Sequence, residues 1–504
     1  MKREMFRRLM AASLATVMVA GFAGCGDNTD QPEGSSSPQP TGSQGETPDG
    51  GNNPDAGEVS KYPIMKDADG NKYDLGGATV KLYSWFGEGS DLDTPYWREA
   101  NAYREWAQQE YNFTFEWDNA AGGWGDFQHL GEIAQGTFYQ EDELAMVMLP
   151  DASFSLVLAA AEQNLLWDME SLGVFDFSEE RWTRNGVSDL FKAGSGVYAC
   201  AVQFPEPRGG VFFNATLLKQ LTGIEPDYLY DLQAKGEWTW AKFEEICEQI
   251  WQNADTNSDG VADYYAVCAN GRYLTSMAMY SNNTSYFELG ADGKFVYRAD
   301  APATLEALEW QRNIRMAPYW CPNPFPPEEA GTHWDYFYEA FDVRGEYVFL
   351  VDEAYQMNDN QQLRATDENN AGEYGFLLFP MGPSSGNKYI NCYHDNILVL
   401  PKCYTEDEAK TIAKAFEIIF ADVVPGFIGY NPRLDGYEAG VYHERALNET
   451  LTRMMSENAF IDSGKLIPNL DTAAAFDDNS KTISEALAAV ETQWKTAIDE
   501  YNNK

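Results

Sequence analysis

The chain has 504 residues, and its 79 Asp and Glu outnumber its 35 Lys and Arg to give a net charge of −44. That excess of acid excludes nucleic acid as a partner, because phosphate contacts need basic patches, and it disfavours a strongly anionic solute. A chain well beyond about 250–300 residues outgrows a single core, so two lobes or more are expected.

The chain opens on a leader. Lys2, Arg3, Arg7 and Arg8 precede an apolar run over residues 9–22, and the small residues Ala23 and Gly24 precede Cys25. The run is shorter than the roughly 20 residues a mature membrane span needs, and its flanks are those of a secretory signal. Phe22-Ala23-Gly24-Cys25 resembles the bacterial lipobox, with Phe where Leu is usual. The resemblance implies removal of residues 1–24 and a diacylglycerol on Cys25. It places the protein outside the cytoplasm, anchored to the outer face of the bacterial cytoplasmic membrane. Residues 26–60 are rich in Gly, Ser, Pro, Asp and Asn and contain no Lys or Arg before Lys61. Such a segment cannot bury enough apolar area to offset its chain entropy, so 25–60 is expected to be a disordered tether spanning about 30–35 Å.

After the tether, 78–85 alternates apolar and polar residues and predicts a strand. A helix is predicted over 96–110, a strand over 113–117, a buried parallel strand over 144–149 and a helix over 153–165. Strand and helix in alternation argue for α/β layers on a parallel sheet. Further strands are predicted over 197–203, 210–214, 347–351, 374–379 and 396–400. Helices are predicted over 239–252, capped by Thr239, over 304–315 and over 405–420. The tail, 448–501, reads as mostly helical.

The motifs of several enzyme classes are missing. The four histidines are His129, His333, His394 and His443, and no HExxH, phosphate-binding loop or dinucleotide fingerprint occurs. Gly382-Pro383-Ser384-Ser385-Gly386 fits G-x-S-x-G, but a nucleophile elbow needs a strand running straight into a helix, and the flanks predict strand, loop, strand. Two carboxylates at glycosidase spacing are not detectable by counting, so a secreted glycoside hydrolase stands as an alternative. Apart from Cys25, six cysteines are widely spaced with no CxxC pair, which leaves both disulfides and free thiols open. Asp255, Asn257, Asp259, Val261 and Asp263 match the start of a calcium loop, but Ala266 stands where the bidentate Glu belongs. A weak structural calcium loop and a plain Asx-rich turn are both consistent with it, and no cofactor is required.

The order of the pieces resembles the extracellular solute-binding proteins of ABC importers, family 1, the sugar-binding group. The residues that carry the resemblance are VKLYSWFGEG after the tether, LLWDMESL near 165–172, and VYACAVQFPEPRGGVFFNATLLKQLTGIEP with Phe213-Asn214-Ala215 in place of Tyr-Asn-Lys. Glu237-Trp238-Thr239-Trp240, YGFLLFPMGP and NILVLPK complete the series. The resemblance implies a two-lobed α/β periplasmic-binding-protein-like fold of type II, with the ligand cleft between lobes joined by crossing strands. Lobe one is expected over 73–202 plus 391–421, and lobe two over 203–390 plus 422–504. The implied function is capture of a sugar or oligosaccharide by a monomer and its delivery to the transmembrane permease subunits of an ABC transporter, without catalysis. A surface glycan-binding lipoprotein with no transporter is the other non-enzymatic alternative.

Ligands of open α/β sheets bind beyond the carboxyl ends of strands. That rule selects Trp85 and Phe86 after the first strand, Trp124 in a Gly-rich loop, and Asp151 after 144–149. It also selects Arg208 at the first crossing, Arg272 and Tyr273, Tyr355, and Tyr393, His394 and Asp395 at the second crossing. Aromatic faces suit the C–H faces of sugars, and the charged groups suit their hydroxyls.

Overall fold

The computed structural model describes residues 60–503, except 68, 86, 88–91, 120–126, 139–142, 185, 194–195, 203, 205, 270, 323–336, 338, 358–373, 395, 436–443, 457–458, 469, 471, 473, 477 and 479. The first strands are β1 (Ala78–Tyr83), β2 (Phe113–Asp118) and β3 (Leu144–Leu149), with helix α1 (Pro95–Glu110) between β1 and β2 and helices α2 (Phe127–Gln135) and α3 (Phe154–Glu162) on either side of β3. Thr94 caps α1, its hydroxyl accepting the Trp97 N–H, and Pro95 supplies the first-turn residue that needs no N–H partner. A short ribbon, β4 (Lys192–Ala193) and β5 (Gly196–Val197), precedes β6 (Glu206–Pro207) and β7 (Gly209–Asn214).

Helices α4 (Ala215–Thr222), α5 (Pro226–Lys235) and α6 (Trp240–Gln252) follow, then β8 (Tyr265–Ala269) and α7 (Gly271–Ser281). The hairpin strands β9 (Phe287–Leu289) and β10 (Phe295–Tyr297) lead to α8 (Pro302–Met316). Beyond these come β11 (Tyr347–Glu353), β12 (Tyr374–Leu378), β13 (Asn391–His394), β14 (Ile397–Val399), α9 (Glu406–Ile419), β15 (Ala459–Ile461) and α10 (Ile483–Asn502). Thr405 and Glu408 form a reciprocal capping box at the start of α9, and Thr482 and Glu485 do the same for α10.

Two four-stranded sheets organise the molecule. In the first, of order β14-β3-β1-β2, β1 lies parallel to both β2 and β3, while β14 returns antiparallel to β3. β3 is buried from Ala145 to Leu149, which is why it reads as a continuous apolar run. Helix α9 crosses this sheet beside α1, and the Tyr103 hydroxyl donates to the Ile418 carbonyl at 2.8 Å to tie the two helices together. In the second sheet, of order β12-β7-β11-β8, β7 is antiparallel to both β11 and β12, and β8 is parallel to β11. Trp240 of α6 stacks on Trp310 of α8 with centroids 4.4 Å apart and planes 13° apart, and donates its indole N–H to Ser281.

Between the two sheets the chain crosses repeatedly. β13 pairs antiparallel with β6 and parallel with β15, and Cys200 and Leu398 exchange both backbone hydrogen bonds. The outgoing and returning segments therefore run side by side. The tail then packs on the second sheet: the Thr450 hydroxyl donates to the Phe376 carbonyl of β12 at 2.8 Å.

Two sequence expectations change. The sheets are mixed, not purely parallel, because β7 and β14 enter their sheets from the crossing side and so run against their neighbours. Residues 197–203 do not form one strand: the chain leaves the β4–β5 ribbon after Val197 and pairs again only at Cys200, against the returning strand. The tail is mostly helical, as the sequence predicts, through Ala446–Leu451, Thr452–Ser456 and α10, and Ala459–Ile461 interrupts it by joining the crossing sheet as β15.

Candidate functional site

Two polar–aromatic patches flank the crossing sheet. The first is built where β11 ends. Because β11 runs antiparallel to β7, its last residue, Glu353, lies opposite Gly209 and beside Arg208, the residue that links crossing strand β6 to β7. The Arg208 Nη1 donates to the Glu353 Oε2 at 3.0 Å, with the two side chains only 14% and 6% exposed. The guanidinium also stands over the half-buried Tyr355 ring, 5.4 Å from its centroid. Asp352 is buried next to this pair, and its Oδ1 accepts the Glu353 N–H at 2.7 Å. Tyr273 comes from the first turn of α7. Its phenol is pushed well above the usual range, first by burial and then by the carboxylates of Glu353 and Asp352, with Arg208 opposing. Arg208, Tyr273 and Tyr355 are thus brought together as expected from strand-end positions.

The second patch belongs to the first sheet. Trp85, just beyond β1, is half-buried and donates its indole N–H to the Asn396 Oδ1 at 2.9 Å. Asn396 is buried and lies between β13 and β14, so this bond ties the end of β1 to the second crossing. Its indole face is the one candidate aromatic described on this side.

The remaining candidates are placed less completely. Asp151 begins a single turn after β3, and Arg272 lies in the first turn of α7, but their side chains lie outside the description. Tyr393 and His394 are in β13, opposite Pro207 and Glu206, and only their backbone is described. Phe86, Trp124 and Asp395 lie outside the described residues. Sequence reasoning missed Asp352, Glu353 and Asn396. The signal for the first two was present as a carboxylate pair closing the apolar strand YVFLVDE, whereas Asn396 is distinguished only by what it meets in space.

Two other motifs resolve locally. In the 255–263 loop, Asp255 accepts the N–H groups of Asp259 and Gly260, Asp259 accepts that of Val261, and Asp263 accepts from Thr256 and from the Asn257 amide. The carboxylates are spent on the loop's own donors, and among the described residues no group of three or more His, Cys, Asp or Glu is arranged to hold a metal ion. These bonds give the loop the form of an Asx-type turn. In the G-x-S-x-G segment no helix follows β12; the Ser384 hydroxyl donates to Glu306 and its N–H to Asn282. That is a turn held to α8 and not a nucleophile elbow. A surface cavity of about 240 Å³ beside α1 and β2, and another of about 380 Å³ between α6 and the turn after α4, lie away from the crossing strands.

No known family's sequence profile matches the chain, and no curated protein sequence matches it either. Solved structures do. The GacH receptor of Streptomyces glaucescens, known unliganded and with acarbose, is 12% identical, with 84% of this chain and 99% of that one covered at a TM-score of 0.54. The cyclic alpha-maltosyl-1,6-maltose binding protein of Arthrobacter globiformis is 12% identical over the same shares, 84% and 99%, at a TM-score of 0.56. UgpB from Mycobacterium tuberculosis, solved with glycerophosphocholine, is 14% identical over 84% and 99% at a TM-score of 0.54. The structural neighbours are thus substrate-binding proteins, the group that the sequence itself resembles, and this chain has their two-lobed, type II periplasmic-binding-protein fold.

Proposed function

We propose that the protein captures a carbohydrate, a sugar or oligosaccharide, in the cleft beside its crossing strands and delivers it to the permease subunits of an ABC importer. The observation that carries this reading is the Arg208–Glu353 pair set against Tyr273 and Tyr355 beside the crossing sheet. A charged pair of this kind can donate to and accept from hydroxyls, and a half-buried ring beside it can cover the C–H face of a pyranose. The fold supports capture, and it does not fix the ligand, since one neighbour of the same fold was solved with glycerophosphocholine and others with oligosaccharides. The acidic surface and the engagement of Arg208 with a carboxylate favour a neutral solute over an anionic one. The leader and Cys25 support attachment by a lipid to the outer face of the membrane, where a released solute would meet its permease. No bond of the solute is made or broken in this scheme.

The test is a thermal-shift screen of the chain from Lys61 onward against mono- and oligosaccharides, amino acids and glycerophosphodiesters, with the solute assayed afterwards. A ligand that binds only the folded state raises the melting point by mass action. The expected result is a saturable shift with one carbohydrate class and full recovery of that carbohydrate. Consumption of the carbohydrate would assign a hydrolase instead, and a shift confined to a charged solute would overturn the carbohydrate assignment.

A further inference from the structure

Cys268 and Cys321 are both buried in the second half of the molecule, Cys268 on the strand that pairs with β11. Cys268 lies in β8. The segment ending α8 returns alongside that strand, with Val267 bridging Trp320 in parallel. The Val267 N–H donates to the Tyr319 carbonyl, and the Cys321 N–H donates to the Val267 carbonyl at 2.9 Å. Parallel register places residue 268 opposite residue 321 with both side chains on one face. Neighbouring strands lie about 4.8 Å apart, inside the 4.4–6.8 Å range that a disulfide spans between Cα atoms. The Cys268 Sγ is 3.9 Å from the Cys321 carbonyl oxygen, and after burial the neighbouring Cys321 side chain helps to raise the Cys268 thiol. The other four described cysteines lie elsewhere: Cys200 at the crossing, Cys247 in α6, Cys392 in β13 and Cys403 on the surface.

We propose that Cys268 and Cys321 are joined by a structural disulfide in the protein as it exists outside the cytoplasm. The bond would close a loop between residues 53 apart in sequence, fastening the β8 edge of the second sheet to the end of α8. The oxidant is a disulfide of the glutathione class. One cysteine thiolate attacks a sulfur of the oxidant, forming a mixed disulfide and releasing one reduced thiol. The second thiolate then attacks the protein sulfur of that mixed disulfide and expels the other reduced thiol. The cysteines lose two protons and two electrons, and the two released thiols take them up. Burial holds the Cys268 thiol far above its usual range, so its thiolate is scarce in the finished fold. The exchange therefore belongs to the folding chain, before β8 is covered.

The experiment is to refold the full chain in a mixture of oxidised and reduced glutathione, alkylate it under denaturing conditions with iodoacetamide, digest it and read the peptides by mass spectrometry. The expected result is a cross-linked peptide containing Cys268 and Cys321 that disappears on reduction. Recovery of both residues alkylated without reductant, or of either one joined to a different cysteine, would overturn the proposal. A second readout uses Cys268→Ala with Cys321→Ala. Reductant should lower the melting point of the parent chain by roughly 5–10 °C and leave the double variant unmoved. An equal drop in both proteins would place the redox-sensitive bond elsewhere.

Discussion

Arg208 and Glu353 each satisfy the other's charge with little access to water, so neither can be removed alone without leaving a buried ion. Arg208→Ala and Glu353→Leu are each expected to lower stability by about 3 kcal/mol in urea unfolding, while the double change Arg208→Met with Glu353→Leu recovers most of that loss. All three variants are expected to lose ligand affinity by at least about tenfold, because hydroxyl partners vanish whether or not the core is repaired. Retention of full affinity by the double variant would remove the pair from the site. Two other buried carboxylates govern the pH response. Burial pushes Glu417 up to about 7 against the pull of Arg181, and pushes Asp342 up to about 6. Both folded-state values lie above those of the unfolded chain, so the folded protein retains protons that the unfolded chain releases. The stabilisation is complete at the lowest pH and is lost as pH rises, between about 4 and 6 for Asp342 and between about 4.5 and 7 for Glu417. Each group is expected to cost roughly 2–3 kcal/mol across its window, and Glu417→Gln should flatten the slope of stability between pH 5 and pH 7.

At the scale of elements, the second sheet depends on close approach between β7 and β12. A Cβ on Gly210 would fall 2.3 Å from the Phe376 ring and 2.7 Å from the Leu377 carbonyl oxygen, and one on Gly375 would fall 2.2 Å from the Phe213 ring. Each glycine is thus a space that an aromatic ring from the other strand fills. Gly210→Ala is expected to destabilise the protein by about 1–3 kcal/mol, because the backbone oxygen cannot yield as a flexible side chain would. Circular dichroism should show the helices intact at low temperature with an earlier melt, and an unchanged melting point would mean that β7 and β12 are farther apart than described. The same strand carries Arg208 at its entry, so loosening it should weaken ligand binding as well.

For the whole molecule, the crossing sheet is the feature that couples the halves. β6, β13 and β15 are each only two to four residues long, and they hold together segments that build both four-stranded sheets. A short, few-bonded connection between two large cores is where a hinge costs least, which suits closure around a solute. The proposed lipid anchor belongs to this scale too. Cys25→Ser is expected to move the protein from the membrane fraction to the medium while leaving the ligand-induced melting shift unchanged, as measured by fractionation and by thermal shift of the released chain. Loss of the shift along with the anchor would mean that the tether contributes to the site.

The helices and the interior strands were legible in the sequence because their causes are local. The apolar run of β3, the period and cap of α6 and the capping box of α9 all lie within a dozen or so residues, and the ends of the strands directed attention to Arg208, Tyr273, Tyr355 and Trp85. The crossing strands were not legible in the same way. Residues 197–203 looked like one strand and 459–461 looked helical, since two or three residues carry no period and become strands only when a partner supplies their hydrogen bonds. The site has the same division. The residue types on offer could be read from the chain alone, but Arg208 meets Glu353 across 145 residues and Trp85 meets Asn396 across 311. Sequence by itself determined the acidic balance and the alternation of strand and helix, because these depend on composition and nearest neighbours. Only the tertiary structure decided which carboxylate faces which guanidinium and which way β7 runs, because those depend on the path by which the chain leaves one sheet and enters the other.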